Sequence, residues 1–426
     1  MARLNRRDFV GGTMGAGMLI GVSPTVARTY QANDKLRIGV IGVANRGGAN
    51  LTGVVSQEIR AICDVDEGYL AKCGAAFPHA TRHSDFRRMI DARGLDAVVI
   101  STPDHTHAPA AAMALRAGLD VYCEKPLAHS VAEVRTLTDL ARRHGRVTQM
   151  GTQIHAGANY RRVVEAIQAG AIGSVEEVHV WCGGGYSPGD RPTDTPPVPS
   201  GLDWDLWLGP APERPYHPAY APFHWRGWWD FGNGTLGDMA CHHMDLPFWA
   251  LGLRVPETVE AEGPPVHPES APSWLIVRYA FAARGGQPAV TLTWYNGDKR
   301  PHYFADGVLP QWGNGTLFVG SGGMLIADYE RHLLLPEERF RDWVRPAASI
   351  PDSPGHHEEW IAACKSRGRT SCEFAYAGPL TEAVLLGNVA YRSGERITWD
   401  GKSMRVAGSR DADRYLRRRY RRGWRL

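Results

Sequence analysis

Leu36-Arg37-Ile38-Gly39-Val40-Ile41-Gly42-Val43-Ala44-Asn45-Arg46-Gly47 is an apolar run that ends in a turn of small residues. An apolar run without alternation marks a strand buried on both faces, as in a parallel sheet. Measured against G-x-G-x-x-G, Gly42 and Gly47 hold the first and third positions. Ala44 stands in the second, where glycine lets the backbone approach a pyrophosphate. A second strand at 58–62 leads to Asp64, about 20 positions on, where an acidic residue accepts both hydroxyls of an adenosine ribose. Asp64 repels a 2′-phosphate, so NAD is expected over NADP; Arg46 is near enough to offset that repulsion, which keeps NADP as the alternative. Asp66, ahead of Glu67 and Leu70, reads as a helix cap.

The pattern repeats along the chain. A strand at 96–101 ends in Thr102-Pro103-Asp104-His105-Thr106-His107, and a helix at 108–117 is closed by Gly118. Leu119-Asp120-Val121-Tyr122-Cys123 is a further strand, breaking into Glu124-Lys125-Pro126-Leu127. The proline fixes φ and removes a donor, so Lys125 stands on a stiff turn. A helix at 130–144 and a strand at 147–151 complete residues 35–151 as a Rossmann dinucleotide-binding domain with right-handed crossovers. Ligands of such sheets lie over the carboxyl edge, where Gly42, Asp64, Thr102 and Lys125 emerge.

Residues 152–400 read differently. A helix at 160–169 puts Tyr160, Val163, Val164 and Ile167 on one side. Strands at 175–181, 274–281, 289–295, 316–319 and 324–327, with turns such as Asn296-Gly297 and Gly322-Gly323, imply an α+β domain on a largely antiparallel open β-sheet. Residues 183–224, rich in proline, glycine and aromatics, read as a long ordered insertion. After it comes a helix in which Asp238 and His242, four apart, share one face. A carboxylate so placed can hold the imidazole's tautomer and favour its protonated form, while the ring exchanges a proton with a substrate hydroxyl. Asp238, His242, His243 and Asp245 also offer metal ligands, but residues 242 and 243 point about 100° apart on a helix, so no metal is expected. Trp225, Trp228 and Trp229 suit either core packing or a platform for a sugar ring, and His155 and Tyr160 are further pocket candidates.

The glycine turn at 39–47, Asp64, T-P-D-H-T-H at 102–107 and E-K-P at 124–126 resemble, in order and spacing, the glucose–fructose oxidoreductase/inositol dehydrogenase (Gfo/Idh/MocA) family. The resemblance makes Lys125 catalytic and Pro126 cis. It implies that Thr102, Pro103 and His107 line the nicotinamide pocket with Gly42, Ala44, Asn45, Arg46, Gly47, Asp64, Glu124 and Lys125 in the cofactor site. It carries the family's acid/base pair onto Asp238 and His242, with Asp238 orienting His242. H-H-E-E-W at 356–360, A-G-P-L-T-E at 377–382 and Y-R-R-G-W at 420–424 resemble the C-terminal region of exported members. The activity implied is oxidation of a sugar, cyclitol or glycoside hydroxyl with a tightly bound nicotinamide. The alternatives are glycoside cleavage through transient oxidation and, from another class, sugar binding without catalysis. Family glycosidases with α-N-acetylgalactosaminidase activity differ at the Asp238–His242 position, so that substrate is not favoured.

Of the 426 residues, 43% are apolar and 22% charged, which is ordinary for a globular chain, and a net charge of +3 gives no case for nucleic acid. Asn5-Arg6-Arg7-Asp8-Phe9-Val10 and the apolar run 11–22 form a twin-arginine export signal, with linker, over 1–30. The run falls short of the about 20 residues a span requires. A periplasmic or cell-surface protein, acting as a homo-oligomer on a small carbohydrate, is the expectation. Seven scattered cysteines, without a C-x-x-C pair, suggest neither disulfides nor a thiolate metal site. The basic, aromatic tail 401–426 is expected to pack on its own or a neighbouring subunit.

Overall fold

The computed structural model describes residues 34–426; the expected export signal lies outside them. The first half is a parallel sheet of β1 (Arg37–Ile41), β2 (Glu58–Cys63), β3 (Thr81–His83), β4 (Ala97–Ile100), β5 (Asp120–Glu124) and β6 (Thr148–Gly151). Its order is β3-β2-β1-β4-β5-β6, with β1 at the crossover between the two directions of winding. The loops leaving β1 and β4 therefore adjoin, and a ligand crevice opens between them. Burial explains the apolar strands: every residue of β4 is buried, and β5 is buried throughout, its two terminal carboxylates Asp120 and Glu124 included.

Two glycines make the turn after β1 feasible. Gly42 has φ +80, and a Cβ there would lie 2.8 Å from the Ser101 carbonyl oxygen. At Gly47 a Cβ would fall 1.9 Å from the Gly42 carbonyl oxygen, so no side chain fits. Asp66 caps the helix Glu67–Ala76 by accepting the Tyr69 N–H, and Ser130 with Glu133 forms a capping box on Val131–His144.

The helix expected at 108–117 begins earlier, at Asp104, and runs to Arg116. Pro109 sits inside it and lacks the N–H that the His105 carbonyl would otherwise receive. The guanidinium of Arg418 donates to that carbonyl instead. The same device recurs at Pro379 in the helix Phe374–Ser393, where Arg254 Nη1 donates to the freed Ala375 carbonyl at 3.3 Å.

The second half is a nine-stranded sheet: β7 (Val175–Cys182), β8 (Thr258–Glu262), β9 (Leu275–Phe281), β10 (Val290–Asn296), β11 (Gly315–Gly320), β12 (Gly323–Ala327), β13 (His332–Leu335), β14 (Ile397–Asp400) and β15 (Arg405–Val406). The order is β13-β12-β11-β7-β10-β9-β8-β14-β15, antiparallel except where β7 meets β10. One apolar core joins the halves. It runs from Leu127, Val131 and Val134 to Leu236, Ala240, Leu380 and Val384. All seven cysteines are free, and no helix among the described residues is long and apolar enough to cross a membrane.

The insertion at 183–224 is stitched to the carboxyl end of β2. Glu67 N–H donates to Gly201 and Asp203 N–H to Val65, both at 2.9 Å. The C-terminal tail packs on its own chain: Arg418 pairs with Glu133 at 2.7 Å, Arg421 Nε donates to Gly209 at 3.0 Å, and Arg87 lies over the Trp424 ring.

Candidate active site

A cavity of about 760 Å³ lies over the carboxyl edge of the first sheet, between it and the second half. The β1 turn lines it with Gly42, Ala44, Asn45 and Arg46; Asp64, Thr102, Pro103, Glu124 and Lys125 follow from the next strand ends. The second half closes it with Trp225, Arg226, Asp238 and His242, and the insertion adds Leu206, Trp207 and Phe223. The volume is in the range of small-molecule and cofactor clefts.

Lys125 follows β5 on a cis bond to Pro126. Its Nζ donates at 2.6 Å both to the Asp238 carboxylate and to the Asp238 main-chain oxygen. Tyr186 OH donates to the other carboxylate oxygen at 2.9 Å, and Arg226 Nε approaches at 3.3 Å. Burial opposes charge on Asp238, but Lys125 and Arg226 outweigh it and hold the carboxyl well below its usual range. Tyr186, pushed up to about 12 by burial and by Asp238, remains a donor.

Here an expectation is corrected. Asp238 shares a helix face with His242 yet makes no hydrogen bond to it, because Lys125, Tyr186 and Arg226 occupy the carboxylate. The His242 ring has a buried Nδ1 without a partner among the described residues. Burial, then the positive charge of Lys125, holds its pKa well below the ordinary value, so it stands as a neutral imidazole.

Glu124 is a cradle element. It accepts from Arg46 Nε at 2.9 Å, Asn50 Nδ2 at 2.8 Å and Gln153 Nε2 at 2.8 Å. Burial works against its charge, but Arg46 and Asn50 more than compensate and its pKa is lowered. Arg46 is thereby turned to Glu124. Asp64 accepts the Val43 N–H at 3.0 Å and the Asp66 N–H at 3.1 Å, and no cation pairs with it among the described residues. A partly buried carboxylate with only neutral donors fits the hydroxyls of a ribose, so the residues present suit a dinucleotide.

Several candidates fall outside the cavity. Gly47 shapes the turn from behind. Both His107 ring nitrogens lie 2.8 Å from carbonyl oxygens, of Thr102 and Pro126, so His107 ties the loop after β4 to the one bearing Lys125 without lining the cavity. His155 is buried on Asp245 at 2.9 Å and stacked on Trp249, and Tyr160 is buried with its hydroxyl on the His242 carbonyl. Trp228 and Trp229 are core residues whose indole N–H groups reach the Ala219 and His267 carbonyls; of the three tryptophans only Trp225 lines the cavity. Sequence reasoning missed Tyr186 and Arg226. Arg226 is next to Trp225, one of the sequence candidates, whereas Tyr186 sits in an aperiodic loop that gives no signal.

Residues 36–152 match the family model for the GFO_IDH_MocA oxidoreductases with an NAD-binding Rossmann fold, and residues 161–308 match the C-terminal alpha/beta domain of the same family. Inositol 2-dehydrogenase 1 of Saccharopolyspora erythraea is 33% identical over 150 residues, 34% of this chain and 44% of that protein. A glycosyl hydrolase family 109 protein of Solibacter usitatus is 30% identical over 204 residues, 41% of this chain and 45% of that protein. The chain thus matches less than half the length of these curated relatives. Among solved structures, the WlbA dehydrogenase from Bordetella pertussis, in complex with NADH and UDP-GlcNAcA, has a TM-score of 0.61 at 20% identity, covering 86% of this chain and 99% of that one. Myo-inositol 2-dehydrogenase from Lactobacillus plantarum has a TM-score of 0.57 at 16% identity, covering 86% and 100%. The two solved structures carry the fold. The two family matches, on consecutive stretches that together cover more than half of the chain, make it a member of the Gfo/Idh/MocA oxidoreductase family with an NAD-binding Rossmann domain.

Proposed function

We propose that this protein oxidises a ring hydroxyl of a sugar, cyclitol or glycoside, using a tightly bound nicotinamide dinucleotide. The observation that carries the reading is that Lys125 and His242 line the same cavity as the β1 turn and Asp64. A nicotinamide bound there supplies the hydride acceptor. His242, held neutral, is ready to take the hydroxyl proton. Lys125 has three N–H donors and directs two to Asp238, leaving one for the oxygen on which negative charge develops. Such placed charge is commonly the largest catalytic contribution. Asp238 acts as a positioning residue for Lys125, and Tyr186 and Arg226 position Asp238. The insertion closes the cavity and limits water. NAD is favoured over NADP, because Asp64 stands at the ribose position with neutral donors and Arg46 turns its Nε to Glu124.

A second reading, redox-neutral glycoside cleavage through transient oxidation, gains support from the glycosyl hydrolase relative. Denaturing the purified protein and identifying the released nucleotide tests the cofactor. Incubation with a glycan panel then separates net oxidation from cleavage by its products. A protein that carries no nicotinamide and binds none in calorimetry overturns both enzymatic readings and leaves sugar binding.

From residues 5–10 we further infer export by the twin-arginine route to the periplasm or cell surface, where a tightly held cofactor is needed because no soluble nicotinamide pool is expected. Mass spectrometry of the mature N-terminus should find the leader removed; retained Met1 or Ala2 contradicts it.

A further inference from the structure

A second cavity, of about 400 Å³, lies between the helix Phe374–Ser393, the start of Val131–His144 and the C-terminal tail. Asn233 lines it and donates at 3.2 Å to Asp104, which lines the first cavity, so the two share a wall. Its lining is strongly cationic. Arg392, Arg414, Arg417, Arg418 and Arg419 contribute to it against a single carboxylate, Asp230, which is ion-paired with Arg214.

The arginines are incompletely satisfied. Arg392 has no ion-pair partner among the described residues, and instead lies over the Trp229 ring at 4.8 Å and the Tyr415 ring at 4.4 Å. Stacking of this kind leaves the edge N–H groups of the guanidinium free to donate. Arg418 spends part of its fork on Glu133 and the His105 carbonyl, and its Nη1 is buried with no partner. His129 Nε2, also in the wall, is buried and unpartnered as well. A buried guanidinium donor without an acceptor, such as Arg418 Nη1, is costly and uncommon in native structures. Burial also lowers the pKa of Arg392 to about 10, with Arg414 adding to the effect, as expected where a cation lacks a counter-charge.

We propose that this cavity binds a small tetrahedral oxyanion, a phosphate or sulfate group, held by Arg392 and Arg418 within and by Arg417 and Arg419 at the mouth. Planar guanidinium forks match the oxygens of such anions in pairs, and an oxyanion supplies acceptors in several directions at once. A volume of about 400 Å³ accommodates a free anion or a small phosphorylated or sulfated molecule. The bound anion would clamp the tail to the body, because Arg417, Arg418 and Arg419 come from the tail and Arg392 from the helix under it. None of these residues belongs to the redox site, so the proposal stands apart from the reading of that site.

The test is calorimetry and thermal unfolding of the full chain with inorganic phosphate, inorganic sulfate and sodium chloride at matched ionic strength. Phosphate or sulfate should bind saturably and raise Tm beyond chloride. Arg392→Gln should weaken that binding about tenfold, as loss of a charge-assisted contact does. The exposed double variant Arg417→Gln/Arg419→Gln, which has no ion pairs to lose among the described residues, should weaken it similarly while nicotinamide binding stays unchanged. It decides the matter if Arg392→Gln does not fold. No gain over chloride, or undiminished affinity in the double variant, overturns the proposal. So does association with phosphatidylglycerol vesicles without any response to the free anions, which would identify a lipid surface as the partner.

Discussion

Lys125 was legible as a cation on a stiff turn at a sheet edge, but its partner was not. Lys125 and Asp238 are 113 positions apart, and a helical spacing states which residues share a face without stating what the face meets. The aspartate assigned to His242 by spacing therefore serves Lys125. Lys125→Ala should retain the fold and the nucleotide but lower turnover by about 100-fold or more, the scale of losing one charge-stabilising donor; kcat and bound nucleotide measured on one preparation check this. Asp104 supports a second prediction. Burial, with minor opposition from His107 and Lys125, raises its carboxyl from 3.8 to about 6. A raised folded-state value means stability is greatest below the unfolded pKa and is lost as pH climbs through the folded one. The contribution of Asp104 to wild-type stability should fall between pH 4 and 6 by about 3 kcal/mol, at ~1.4 kcal/mol per pKa unit. Asp104→Asn should abolish that loss, as read in denaturant melts across the range.

At the scale of elements, the parallel sheet was the most legible part, because strands buried on both faces carry uninterrupted apolar runs. Strands such as β3 and β8 were missed. Thr81-Arg82-His83 is a short edge strand with little burial, and Thr258–Glu262 carries acids at 260 and 262 on its open face, which reads as loop. The true start of the helix at Asp104 was hidden by Pro109, since sequence alone does not show that an arginine over 300 positions away donates to the orphaned carbonyl. That tie gives a test. Arg418→Leu strips the buried Glu133 of its cation and frees the His105 carbonyl, so it should cost about 3 kcal/mol and expose the tail to limited proteolysis. Gly47→Ala belongs to the same scale. With a Cβ 1.9 Å from the Gly42 carbonyl, the turn must open, and nucleotide affinity in calorimetry should fall at least tenfold.

In the whole molecule, the second half acts as a wall for the first. One continuous core fixes the helix Gly234–His243 against the sheet edge, and so aims Asp238 and His242 at Lys125. The tryptophans illustrate why the pocket was only partly readable: aromatic residues suit both a sugar platform and a core, and only packing separates Trp225 from Trp228 and Trp229. The central claim is that this juxtaposition performs nicotinamide-dependent oxidation of a sugar hydroxyl. Its most direct test is a single turnover of NAD-loaded protein mixed with a panel of sugars and cyclitols, followed by the absorbance of reduced nicotinamide. The expected result is a rise with at least one compound in the wild type, and a rise about 100-fold slower or more in Lys125→Ala. A protein that holds no nicotinamide, or a Lys125→Ala variant that reduces it at the wild-type rate, would contradict the account.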